Sequence, residues 1–179
     1  MATDNRLKTT VYLTGFMGCG KSYTGNLLAD RLGLPFTDLD AEIERAAGKT
    51  INDIFDQDGE AAFRVLEAET LRATGRDTAT VVATGGGAPC HHDGMNWMND
   101  HGITVFLDPP LEVLLARLEE GRDHRPLLQS GAVLRSIVTE KLSARRPVYE
   151  QARIQLTIED PNMDLTDLLV GIITDGGIP

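Results

Sequence analysis

The sequence predicts an α/β fold, a parallel sheet covered by helices on both faces, and three observations carry that prediction. Five short apolar runs alternate with helix-length segments, the pattern of strands buried between two helical layers. The motif Gly15-Phe16-Met17-Gly18-Cys19-Gly20-Lys21-Ser22 lies between the first run and the first helical segment. Glycine-rich or acidic loops follow each of the first three runs, and in open parallel sheets ligands sit beyond the carboxyl ends of the strands.

Thr9 to Leu13 is β-branched and aromatic, and it ends in a glycine-rich loop, so it reads as a buried strand. Lys21 to Leu32 carries Leu27, Leu28 and Leu32 at helical spacing, with Gly33 as the closing glycine. Pro35 to Leu39 reads as the second strand. Ala41 to Ala47 and Gly59 to Thr74 read as helices, with a short helical piece from Ile51 to Phe55 between them. Thr80 to Ala83 is the third strand and runs into Gly85, Gly86 and Gly87. Met95 to Asn99 is helical, Thr104 to Leu107 the fourth strand, and Leu111 to Leu118 a helix. Glu119 to Ser130 is a polar, charged loop. Ala132 to Ala144 is helical, with Pro147 enforcing a break soon after. Ile154 to Ile158 is the fifth strand and Leu165 to Thr174 the last helix.

The 179 residues fit one domain spanning 1–179, and 41% hydrophobic with 25% charged residues is too apolar for a disordered chain. No apolar run approaches the ~18 residues of a membrane span, and the polar start does not resemble a signal peptide. The formal charge of -10 argues against nucleic acid or an anionic membrane as partner. Two cysteines, Cys19 and Cys90, make no disulfide framework and point to a reduced, cytoplasmic setting. No surplus apolar face stands out, so a monomer acting on small molecules is expected.

The glycine motif has a physical basis. Glycines let backbone N–H groups ring a phosphate chain, and the following helix N-terminus adds a positive dipole. Lys21 reaches the β- and γ-phosphates, and the Ser22 hydroxyl is a ligand for Mg2+. Tyr23 stands where related loops place a small hydroxyl residue. It is expected to pack along the first helix rather than line the nucleotide pocket, since aromatic bulk mostly serves packing.

Asp38-Leu39-Asp40 ends the second strand, where alternation would put both carboxylates on one side. Beside a phosphate loop, one carboxylate can hold a Mg2+ shell while the other orients an acceptor hydroxyl. The amides of Gly85, Gly86 and Gly87 suit a close approach by a ligand. Arg64 has Glu67 at i+3 to hold its guanidinium. Arg122 and Arg125 lie in the polar loop, where a closing lid would bring a cation to a transferred phosphoryl group. Arg145 and Arg146 each offer a planar fork to a substrate carboxylate. Pro89-Cys90-His91-His92 lacks a second ligand cluster, so His91 and His92 are read as the start of a helix, not a metal site. Cys19 is read as a small filler in the loop.

Taken together, GFMGCGKS, DLD followed by Ile43 and Glu44, FRVLE, GGGA, RPLL and RRPVY resemble the shikimate kinase family from Thr10 to about Asp160. The resemblance implies a three-layer P-loop kinase fold with sheet order 2-3-1-4-5, a substrate-binding region at 38–74 and a mobile lid at 119–130. It implies ATP- and Mg2+-dependent phosphorylation of the 3-hydroxyl of shikimate. It places Gly18, Cys19, Gly20, Lys21, Ser22, Tyr23, Arg117 and Arg125 at ATP, and Ser22 and Asp38 at Mg2+, the latter through water. Asp40, Arg64, Gly85, Gly86, Gly87 and Arg145 fall at shikimate, with Lys21, Asp40 and Arg125 as catalytic groups. Glu159-Asp160-Pro161 is a candidate adenine loop. Tyr23 departs from the usual Thr. Another small-metabolite kinase, such as one for gluconate, or a non-catalytic nucleotide-binding module would share the phosphate loop.

The acidity is uneven. Residues 117–153 hold eight Lys and Arg against five Asp and Glu, so basic charge gathers where anionic ligands are expected.

Overall fold

The computed structural model describes residues 8–120, 131–160 and 163–174. Its centre is β1 (Thr10–Thr14), whose five residues are all buried. The remaining strands are β2 (Phe36–Asp38), β3 (Val81–Ala83), β4 (Gly102–Asp108) and β5 (Ile154–Thr157). They form one sheet of order β2-β3-β1-β4-β5, and every neighbouring pair is parallel. Parallel pairing requires crossover connections, and helices supply them on both faces.

These helices are α1 (Lys21–Leu32), α2 (Leu39–Ala47), α3 (Ile51–Ala73), α4 (Gly94–His101), α5 (Leu111–Glu120), α6 (Gly131–Tyr149) and α7 (Thr166–Thr174). Helix α1 packs against α7, β3 and β2, and α4 lies on β4. Tyr12 of β1 meets Trp97 of α4 edge to face, with ring centroids 5.9 Å apart. Val11, Leu13, Leu28, Leu39, Ile43 and Val105 are wholly buried between the layers. Each such side chain contributes about 1.5–3 kcal/mol relative to exposure. Among the described residues, no helix is long and apolar enough to cross a membrane.

Local signals set most boundaries. Gly33 closes α1 at φ 65°, and its N–H returns to Asp30 O. Thr50 and Asp53 form a capping box that starts α3. The two helical pieces expected on either side of residue 58 are one 23-residue element with a bend at Gly59, whose φ of 83° and ψ of 168° are not helical.

Three expectations are corrected. Asp38 and Asp40 do not alternate along a strand. Asp38 ends β2 and caps α2 by accepting from the N–H groups of Asp40 and Ala41, so Asp40 lies in the first helical turn. Pro147 does not break its helix. It falls in the last turn of α6, where the Glu150 N–H still reaches Arg146 O at 2.9 Å and the helix continues to Tyr149. His91 and His92 do not begin α4. A 3-10 turn, Ala88–Cys90, comes first, His92 and Asp93 take positive φ, and α4 starts at Gly94.

Candidate active site

The loop from Gly15 to Gly20 leaves β1 at the carboxyl edge of the sheet and delivers the chain into α1. Gly15 has φ 134°, and a Cβ there would lie 2.7 Å from Leu107 O, so only glycine fits. Lys21 folds back over the loop, donating from Nζ to Gly15 O at 2.9 Å and Phe16 O at 3.0 Å. Cys19 is buried beneath it, its sulfur 3.6 Å from Lys21 Nζ, which agrees with a filler role. The Ser22 hydroxyl donates to Asp38 Oδ2 at 2.7 Å. Because Asp38 Oδ1 caps α2, one carboxylate ties the phosphate loop to the next helix.

A cleft of about 540 Å³ lies over this loop, bounded by Lys21, Ser22, Tyr23, Asp38 and Arg117. Arg117 reaches in from α5 and donates from Nη1 to Gly18 O at 3.1 Å. Tyr23 corrects another expectation. It is 75% exposed and stands on the cleft wall, because the inward face of α1 is taken by Thr24, Gly25 and Leu28.

A second cavity of about 490 Å³ adjoins the first, between α2, α3 and the triple-glycine loop. Phe55 and Phe63, their rings 4.6 Å apart, form its apolar side. Arg64 and Arg145 supply its cations. The two cavities share Met17, Asp40, Gly85 and Gly86, so Asp40 stands where they meet. Solvent reaches Asp40 through the cleft, but the enclosing walls raise its pKa by partial desolvation. Asp38 and Glu44 push the same way, against the pull of Lys21 and Arg64.

The Arg64–Glu67 pair expected at i+3 is present, Nη1 to Oε2 at 2.8 Å, and Arg64 Nη2 also meets Glu60 at 3.0 Å. Glu67 is only 2% exposed, and burial, with the charge of Asp40 adding to it, raises its pKa against the pull of Arg64 and Arg145. For Arg64, burial pulls the pKa down, but the bonds and charges of Glu67 and Glu60 outweigh it and leave the pKa raised. The missing side chain of Gly85 lets two carboxylates approach it, since a Cβ there would lie 2.7 Å from Glu67 Oε1 and 2.9 Å from Asp40 Oδ1.

The choice between the two adjacent arginines is made by the fold. Arg146 forms a bidentate pair with Asp108 at 2.7 and 2.8 Å, away from the cavity. Arg145 lines the cavity, its guanidinium 5.8 Å from the centroid of the Phe16 ring. Tyr149, quoted in the sequence motif without a role, is fully buried and donates to Gly86 O at 2.6 Å. Burial raises its pKa, so it stays a donor and pins the glycine loop. Met17, Phe55 and Phe63 were also not singled out. Nothing in their spacing separates a cavity wall from a core.

Arg122 and Arg125 and most of the 119–130 segment lie outside the described residues, as does Pro161 of the candidate adenine loop. Among the described residues, no group of three or more His, Cys, Asp or Glu could hold a metal ion. At the end of the glycine loop, burial and then the charges of Arg64 and Arg145 lower the His91 pKa.

Comparison with known proteins gives the family and the fold. Residues 17–169 match the family model described as shikimate kinase. A shikimate kinase of Bacteroides fragilis is 44% identical over 144 residues, covering 79% of this chain and 80% of that protein. The crystal structure of shikimate kinase from Bacteroides thetaiotaomicron superposes with a TM-score of 0.81 at 38% identity, over 90% of this chain and 98% of that one. Shikimate kinase from Acinetobacter baumannii, solved in complex with shikimate, gives 0.83 at 35% identity over 97% of both chains.

Proposed function

The chain belongs to the shikimate kinase family, and from that premise we propose how its residues carry a phosphoryl group from ATP to the 3-hydroxyl of shikimate. The observation that carries the reading is the meeting of two cavities at Asp40 and Gly85–Gly86, with phosphate-loop groups on one side and two arginines on the other. ATP lies in the first cavity, its phosphates against the loop amides, Lys21 and Ser22. Shikimate lies in the second, its carboxylate between Arg64 and Arg145 and its hydroxyls toward Asp40 and the glycine loop.

Ser22 Oγ and Asp38 Oδ2 are hard oxygen donors 2.7 Å apart beside Lys21, a set that suits Mg2+ bound with water and phosphate oxygens. When bound there, the ion would neutralise charge on the β- and γ-phosphates. Asp40 orients the 3-hydroxyl and accepts its proton as the hydroxyl oxygen bonds to the γ-phosphorus. The bond from that phosphorus to the β,γ-bridging oxygen breaks, and ADP leaves with the electron pair. Lys21 turns from the loop carbonyls toward the oxygens gaining charge, with Arg125 as the second cation of the step. The acidic exterior does not oppose this, since a few placed cations govern the field inside a cleft. The protein acts as a one-domain monomer in the cytoplasm, and its two unpaired cysteines suit that reducing compartment.

A coupled assay of ADP release, with shikimate, gluconate or no acceptor and with Mg2+ present or chelated, tests the reading. Release that requires both shikimate and Mg2+ is expected; release with gluconate alone, or with none of them, sinks it. The two arginines give a sharper contrast. Arg145→Ala should raise KM for shikimate roughly tenfold or more, the loss of a charge-assisted contact, and leave KM for ATP and the melting temperature unchanged. Arg146→Ala should do the reverse, costing about 1 kcal/mol of stability as a partly exposed ion pair is lost, with KM for shikimate intact.

A further inference from the structure

The three carbonyls of the glycine loop are held in two different ways. Gly85 O accepts from the Ala88 N–H at 3.1 Å and Gly87 O from the Cys90 N–H at 2.9 Å, both within the turn that follows. Gly86 O is held from another element, by the Tyr149 hydroxyl of α6 at 2.6 Å, 63 residues away in the chain. A trans peptide is planar, with its C=O and N–H pointing opposite ways. The bond that fixes Gly86 O therefore also fixes the direction of the Gly87 N–H. Gly86 and Gly87 both line the cavity read as the shikimate site.

The same phenol oxygen has a second neighbour. Burial raises the Tyr149 pKa, and the charge of Arg145, one helical turn back on α6, pulls against it. A Cβ on Gly86 would stand 3.5 Å from Arg145 Nη1, from Gly15 O and from Met17 N alike. Gly86 thus comes close both to the arginine of the substrate cavity and to the start of the phosphate loop. The tyrosine ring is itself fixed, wholly buried and tilted against Phe106 with centroids 5.2 Å apart.

We infer that Tyr149 is a positioning residue for the phosphoryl transfer, its one oxygen holding the Gly86–Gly87 peptide and the Arg145 guanidinium in register. Arg145 grips one end of the substrate and the glycine loop meets its hydroxyls, so their spacing decides where the acceptor oxygen stands relative to the phosphate side. Small misplacement of reacting groups costs rate steeply, even where binding is largely kept. Tyr149 touches no reacting atom and acts only through these two groups. This rests on the reading that the second cavity takes shikimate.

Steady-state kinetics and thermal unfolding of Tyr149→Phe, set beside Arg146→Ala, test the assignment. Shikimate-dependent turnover by the wild-type chain is established first, because a chain without it would remove the substrate reading and this role together. Tyr149→Phe keeps the ring and loses the oxygen. Its kcat should fall roughly five- to tenfold, the lower end for a buried acceptor left without its donor. KM for shikimate should rise by a smaller factor, and KM for ATP should hold. Arg146→Ala loosens the same turn of α6 from Asp108, so it should lower the melting temperature while kcat stays at the wild-type value. Added to Arg145→Ala, Tyr149→Phe should raise KM for shikimate no further, because groups that act through one another are not additive. Its kcat should still fall there, since Gly86 is still released. A Tyr149→Phe kcat within about twofold of wild type, too small a change for a lost buried bond, overturns the role. An equal loss of kcat in Arg146→Ala would assign the effect to the helix end rather than the phenol oxygen. A further rise of KM in the Arg145→Ala background would separate Tyr149 from the arginine, and either result overturns the inference.

Discussion

Asp40→Asn should lower kcat by about 10²- to 10⁴-fold, the usual contribution of a positioned general base, while the fold stays intact. Asn keeps the shape of the side chain but cannot accept the proton of the 3-hydroxyl. The sign of the stability effect separates lost chemistry from lost structure. Enclosure in the cleft and the charge of Asp38 raise the Asp40 pKa in the folded protein. The folded state therefore favours the protonated carboxyl. That contribution is fully present below the unfolded pKa and is lost as pH rises through the folded one. At neutral pH the ionised Asp40 is a small cost to folding, so Asp40→Asn should melt at the wild-type temperature or above. In the wild type, kcat/KM should fall on acidification at a higher pH than an ordinary aspartate would give, and this limb should vanish from the residual activity of the variant. Near-normal turnover by Asp40→Asn would remove Asp40 from the chemistry.

Glu67→Ala should have the largest effect on stability and a second effect on substrate binding. Glu67 is 2% exposed and bonds Arg64 at 2.8 Å, while the Arg64 side chain is itself only 11% exposed. Removing the carboxylate leaves the guanidinium with exposed Glu60 alone. Loss of one partner from a buried pair costs about 3–5 kcal/mol. Glu60 and the relief of burying Glu67 offset part of this, so a loss of about 2 kcal/mol is expected, roughly 4–8 °C in Tm for a chain of this size. Arg64 would then be free to rotate, and KM for shikimate should rise while KM for ATP holds. Glu67→Gln, which keeps the shape and one acceptor oxygen, should recover much of both losses. A Glu67→Ala protein with normal Tm and normal shikimate KM would show that Arg64 needs no buried partner.

The phosphate loop was legible because its chemistry is local. Gly15, Gly18 and Gly20 need positive φ, and Lys21 and Ser22 follow at fixed spacing. The Arg64–Glu67 pair was legible for the same reason, since i+3 neighbours on a helix share a face. The pairing of Asp38 and Asp40 is legible in the sequence, but its local geometry is not. Their proximity comes from a helix cap rather than a strand pleat, and both arrangements bring residues two apart to one region.

The sequence by itself determined the alternation of strands and helices, and with it the edge of the sheet where ligands bind. Periodicity, capping residues and glycine positions act over a few residues, so they are written in the order of the chain. Only the tertiary structure decided which of two adjacent arginines serves the site, because Asp108, far away in sequence, takes Arg146 and leaves Arg145 to the cavity. It likewise decided that Tyr23 faces the cleft, that Tyr149 pins Gly86, and that Asp40 and Glu67 both approach Gly85. Each depends on the packing of elements distant in sequence, and no local pattern encodes which atoms that packing brings together.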